Sequence, residues 1–79
     1  MRTFKLTIIH REYNHPAHHE EQLTFHCLSK RQLFLACVRH YGRCLGTYSD
    51  SHNWAFSRME DDFITVTEVV VEEVCTTLG

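Results

Sequence analysis

Three histidines, His15, His18 and His19, fall within five residues, with His26 and Cys27 close behind. Neutral imidazole and thiolate are the donors zinc prefers. The spacing suits a structural site poorly, because there is no Cys-x-x-Cys and no second pair of close ligands. A solvated polar loop is the better reading; a metal, if one binds, takes His15, His18 and His19. His10, His40 and His52 can each be set beside a carboxylate or thiol, yet each has a plainer place at a strand end, a helix end or a hairpin turn. Hydrolysis needs a nucleophile, a base and a group that stabilises developing charge, gathered in one concave site. No motif spaced for that purpose is present, so the reading is of a protein that is not an enzyme and takes no cofactor.

Charge patterning points to recognition instead. Positions 27 to 58 carry Lys30, Arg31, Arg39, Arg43 and Arg58 against Asp50 alone, whereas the last 21 residues carry only acids: Glu60, Asp61, Asp62, Glu68, Glu72 and Glu73. A chain of formal charge −2 can therefore fold with a basic side and an acidic strand. One use is nucleic-acid binding, in which Lys5, Arg43 and Arg58 join Tyr48, Trp54 and Phe56 as a face on which bases stack. A pI near 6.4 and the acidic closing segment repel phosphate, and core packing is the plain role for Trp54 and Phe56. The other use is protein binding. Arg31, Leu35 and Arg39, spaced by four with Gln32 alongside, make an exposed stripe with an apolar anchor between charges. Glu68, Glu72 and Glu73 can occupy a basic groove meant for phosphate, although protection of a sheet edge explains any single acid as well.

These residues need elements to position them. Phe4, Leu6 and Ile8 alternate with Thr3, Lys5, Thr7 and Ile9, the period of a half-buried strand. Residues 11 to 20, with a proline and no period, predict a wide loop. Leu23, Phe25 and Cys27, alternating with Gln22, Thr24 and His26, give a second strand that folds back as a hairpin. Ser29 and Gln32 form a capping box, with Gln32 reaching back to Ser29. A helix over about 30 to 41 follows, burying Leu33, Phe34, Cys37, Val38 and Tyr41 and ending at Gly42. Short strands return over Cys44–Tyr48, Trp54–Arg58 and Phe63 to about Val71. In the last of these Glu68 interrupts an apolar set, which suggests a bulge near Thr67 and Glu68 or burial on both faces.

The prediction is thus one α+β domain over residues 1–79: a curved antiparallel sheet of about five strands, ββαβββ, with one helix on one face. The face away from the helix is expected to show Lys5, Thr7, Ile9, Thr24, His26, Thr65 and Thr67. No run approaches the roughly 20 apolar residues of a membrane helix. The N-terminal residues read as a strand and not a secretion signal, so a cytoplasmic protein is expected, with Cys27, Cys37, Cys44 and Cys75 reduced. Cys27 and Cys37 fall on core faces. A long apolar last strand, if at the sheet edge, can pair with a second copy, which leaves monomer and homodimer both open.

The order strand, strand, Ser29-capped helix, Gly46-Thr47-Tyr48 into a turn, Trp54-Ala55-Phe56 and a closing strand resembles the small accessory proteins of bacteriophages and prophages, anti-CRISPR proteins among them. The likeness covers most of the chain and lies in element order and residue type. It implies an inhibitor, in the host cytoplasm, that binds a host protein or RNA-protein complex of a defence system and blocks access without catalysis. The acidic closing third departs from basic members that clamp a guide-bearing groove.

Overall fold

The computed structural model describes residues 1–46 and 52–74. Its elements run β1 (Arg2–Glu12), β2 (His18–Cys27), α1 (Lys30–Tyr41), β3 (Arg43–Cys44), β4 (Asn53–Met59) and β5 (Ile64–Val74). Every neighbouring pair of strands is antiparallel, in the spatial order β2-β1-β5-β4-β3, with α1 on one face. This is the α+β, ββαβββ arrangement that the pattern predicts.

The first hairpin is longer than expected. Pairing runs unbroken from Arg2↔Cys27 to Arg11↔His18. The loop predicted over 11 to 20 therefore shrinks to residues 13–17, turning through Asn14 at φ 66°. His18, His19 and Glu20 carry no apolar side chain and so show no period, but backbone pairing needs none.

The helix has its predicted bounds. The Gln32 N–H donates to Ser29 Oγ at 3.2 Å, while the Gln32 side chain accepts from the Leu28 N–H at 2.8 Å, one residue before the Ser29 N–H expected as its partner. At the other end Gly42, at φ 110°, donates its N–H to the Val38 carbonyl. Leu33, Phe34 and Cys37 are buried, with Val38 and Tyr41 packed beside them. They close over Phe4, Leu6 and Ile8 of β1, Cys27 of β2, Trp54 and Phe56 of β4, and Val69 and Val71 of β5. The Phe34 ring meets Trp54 edge-on at 5.2 Å, a preferred aromatic geometry.

The last strand departs most from expectation. β5 is central, between β1 and β4, and not at an edge, so it cannot pair with a second copy. Its register is constant against both neighbours, which excludes a bulge at Thr67 and Glu68. Burial on both faces is confined to one step, where Val66 on the open face, 9 % exposed, adjoins the buried Thr67. Thr67, Val69 and Val71 lie under the helix, while Glu68, Val70 and Glu72 share the opposite face, where Val70 is 41 % exposed. The same parity moves Thr65 and Thr67 off the open face, which holds Lys5, Thr7, Ile9, Thr24 and His26 as expected. β3 is only two residues long, against the five expected over Cys44–Tyr48. Leu45 still donates to the Ala55 carbonyl at 2.8 Å, while Thr47 and Tyr48 lie outside the described residues, as does Cys75. Among the described residues no helix is long and apolar enough to cross a membrane.

Candidate functional site

One helix about 10 Å across cannot cover five strands that span roughly 19 Å at 4.8 Å spacing. Apolar side chains on the helix side of the sheet must therefore stay bare somewhere. They are bare beside edge strand β2. Leu23 and Phe25 share a face with the buried Leu6 and Phe4 opposite them, yet are 44 % and 36 % exposed. Across the gap stand Leu35, 50 % exposed, and Ala36 of α1, with Leu28, 69 % exposed, closing one end. Together they form a groove of two adjoining recesses, about 260 and 550 Å³, one floored by Leu33 and Cys37, the other flanked by Gln32 and Arg39. Scattered exposed leucines are ordinary, but a contiguous apolar groove with a polar rim is the form that protein-binding surfaces take.

Part of the predicted stripe lines this groove. Arg39 and Leu35 border it, while Arg31 is exposed two turns before Arg39. The groove partners Leu23, Phe25 and Leu28 were missed from sequence, because Leu23 and Phe25 carry the alternation of a core face. The signal that could have found them is stoichiometric: a single 12-residue helix set against five strands.

The acidic set does not form one surface. Glu68 and Glu72 lie on the open face and Glu73 on the helix side. Glu68 stands 3.7 Å from Arg11. Arg2 donates to both Glu73 carboxylate oxygens, at 2.7 and 2.6 Å. The guanidinium hydrogen bonds hold the Glu73 carboxyl below the usual carboxylate range. Because the folded value is the lower one, the contribution is present above the unfolded pKa and is lost as pH falls through the folded value. In Arg2→Met the Glu73 titration, followed by NMR, is expected to move up to the ordinary carboxylate range, and an unmoved midpoint would mean that the fork does not form in solution.

The nucleic-acid set is likewise divided. Trp54 and Phe56, 2 % and 0 % exposed, are core residues and offer no ring to a base. Lys5 and Arg43 project from the opposite face, and Tyr48 lies outside the described residues. Arg58 donates to the His40 carbonyl at 2.9 Å, where it satisfies the helix C-terminus. The three loop histidines also part: the His15 ring accepts from the Ala17 N–H, while His18 and His19 fall on opposite sheet faces.

One cluster joins a hydroxyl, an imidazole and a carboxylate. His10 Nδ1 lies 3.0 Å from Thr67 Oγ1, and its Nε2 lies 3.4 Å from Glu21. Thr67 is 4 % exposed, so the bond satisfies a buried hydroxyl; His10 and Thr67 border a recess of about 430 Å³ with Tyr41 and Arg58. Burial pushes the Cys37 thiol up to about 11, which keeps it protonated and unreactive at neutral pH. No family model, curated protein or solved structure matches this chain.

Proposed function

We propose that the chain is a non-enzymatic protein-binding module that docks through the groove between α1 and β2. The observation that carries this reading is the clustering of Leu23, Phe25, Leu28 and Leu35 as exposed apolar side chains around one concavity. A partner that fits presents an apolar knob to these residues and acids to Arg31 and Arg39. The resemblance to phage accessory proteins supplies the class of partner, a host defence protein or nucleoprotein, and the mode of action, steric occlusion. The acidic half of the occlusion idea loses support, since Glu68 and Glu73 each face an arginine and Glu73 lies on the other face from Glu72. Burial of Trp54 and Phe56 counts equally against direct nucleic-acid binding.

The test is a tagged pull-down from nuclease-treated bacterial lysate, followed by titration calorimetry on the captured partner. Arg31→Glu with Arg39→Glu is expected to weaken the complex at least about tenfold, or ~1.4 kcal/mol, while circular dichroism stays unchanged. Unchanged affinity would remove the helix stripe from the interface. Loss of every partner on nuclease treatment would favour nucleic-acid binding instead.

A further inference from the structure

The two edges of the sheet are not alike. β3 is two residues long, a blunt edge of the kind that natural sheets use to avoid pairing with other chains. β2 runs for ten residues, without proline, lysine or bulge. The Tyr13 N–H donates to the Ile64 carbonyl, so odd-numbered β1 residues bond to β5 and even-numbered ones to β2. By the alternation of an antiparallel ladder, Phe25 and Leu23 turn their backbone groups to β1. His18, Glu20, Gln22, Thr24 and His26 turn theirs outward, where no strand among the described residues lies beside them. What fits a row of alternating N–H and C=O groups is another β-strand.

We infer that this strand is β2 of a second copy of the chain, paired antiparallel about a two-fold axis through Thr24. The side chains choose the register. Outward groups must meet outward groups, so even-numbered residues pair with even-numbered residues. Centring on Thr24 sets Leu23 against Phe25 of the copy twice over, in the non-hydrogen-bonded positions where cross-strand side chains come closest. It also sets Gln22 against His26 and Thr24 against itself, and opposes no two acids. Centring on Gln22 would place Leu23 against Glu21 and Phe25 against His19, and centring on Leu23 would leave Phe25 against Glu21. Centring on Phe25 would set Phe25 against itself and Leu23 against Cys27, but β2 then overlaps its copy only over residues 23–27, whereas the Thr24 register covers both bare apolar side chains over the longer overlap 21–27. The patch is thus complementary to itself, as a two-fold interface requires. About six new backbone hydrogen bonds form between Gln22 and His26 of the two copies. A two-fold axis perpendicular to the sheet keeps both helices on one side, so the groove of each copy gains a second wall from the other. The proposal goes beyond the binding role and rests on the strand edge; it shares Leu23 and Phe25 with the groove, which in the dimer become part of a wall between the copies, and leaves Leu28, Leu35 and Arg39 to a partner.

Thr24→Pro tests it. The Thr24 N–H points away from β1, so proline removes a donor that the monomer does not use, while blocking the centre of the new ladder. The expected result is a wild-type chain that sediments at twice its 9.4 kDa mass over a micromolar concentration series, and a Thr24→Pro chain that sediments as monomer with an unaltered circular dichroism spectrum. Leu23→Lys gives the same reading by a second route, should the proline variant fail to fold. In a mixed-labelled sample, isotope-filtered NMR is expected to show contacts from the Leu23 methyls to the Phe25 ring of the other copy. A wild-type chain monomeric throughout would overturn the proposal. So would a dimer that survives Leu23→Lys, or one that shows Leu23-to-Leu23 contacts instead. Arg31→Glu with Arg39→Glu is expected to leave the dimer intact, so failure of the groove reading and failure of this one are told apart.

Discussion

Phe34→Ala is expected to cost about 3–5 kcal/mol, the largest loss for any single truncation on the helix. The ring is 9 % exposed and sits against Trp54 at 5.2 Å and Phe56 at 5.9 Å. Its removal leaves a cavity between two rigid rings anchored on β4, which cannot collapse without moving the sheet. At roughly 0.05–0.15 kcal/mol per residue, a 79-residue chain is stable by only about 4–12 kcal/mol, so the variant forfeits a large share of it. A domain of this size loses about 4–8 °C of Tm per kcal/mol, which predicts a fall of at least about 12 °C. The control is the next residue. Leu35 is 50 % exposed, and Leu35→Ala is expected to stay within about 0.5 kcal/mol of wild type while weakening partner binding. A Leu35 variant less stable than the Phe34 variant would mean that the helix is rotated from the orientation described.

Gly42→Ala is the second large effect, and its cause is steric. Gly42 has φ 110° and ψ −152°, a region that residues with a side chain enter only under strain. A β-carbon there would lie 2.5 Å from the Ser57 carbonyl oxygen and 3.1 Å from Arg58 Cβ. The first of these is backbone of a paired strand and cannot swing aside. Strain of about 1–3 kcal/mol and forced displacement of about 1–3 kcal/mol act together. Denaturant unfolding is expected to show a lower midpoint at an unchanged m-value. The same change at Gly46, where nothing among the described residues lies within 4 Å, meets among them only the conformational cost of its φ of 86°. Equal losses at the two glycines would show that the close approach of the helix end to β4 is not maintained in solution.

The helix was legible because its signals are local. Ser29 and Gln32 open it and Gly42 ends it, each through contacts within four residues, and its apolar face is set by a period that needs no partner. β5 was not legible for the opposite reason. Its run Val69-Val70-Val71 is apolar on both faces, so composition cannot say which face is inward; pairing of Val69 with Ile8 and Trp54 decides it. The candidate groove divides the same way. Leu35 and Arg39 could be read off the helix, but the exposure of Leu23 and Phe25 follows from where the helix lies across the sheet, a property no short stretch of sequence carries. Trp54 and Phe56 alternated as readily for a solvent-facing surface as for a core, and only their position beneath Phe34 separates the two.

The strand order has a consequence for how the chain is made. β1 is made before the other described elements, yet one of its two neighbours in the sheet is β5, the last one described. Until β5 arrives, β1, β2 and α1 can gather only one side of the core, and Phe4, Leu6 and Ile8 wait without Val69 and Val71. While these elements are being made, the half-finished sheet thus keeps a sticky apolar face open, and it closes only when two strands more than fifty residues apart in the chain meet.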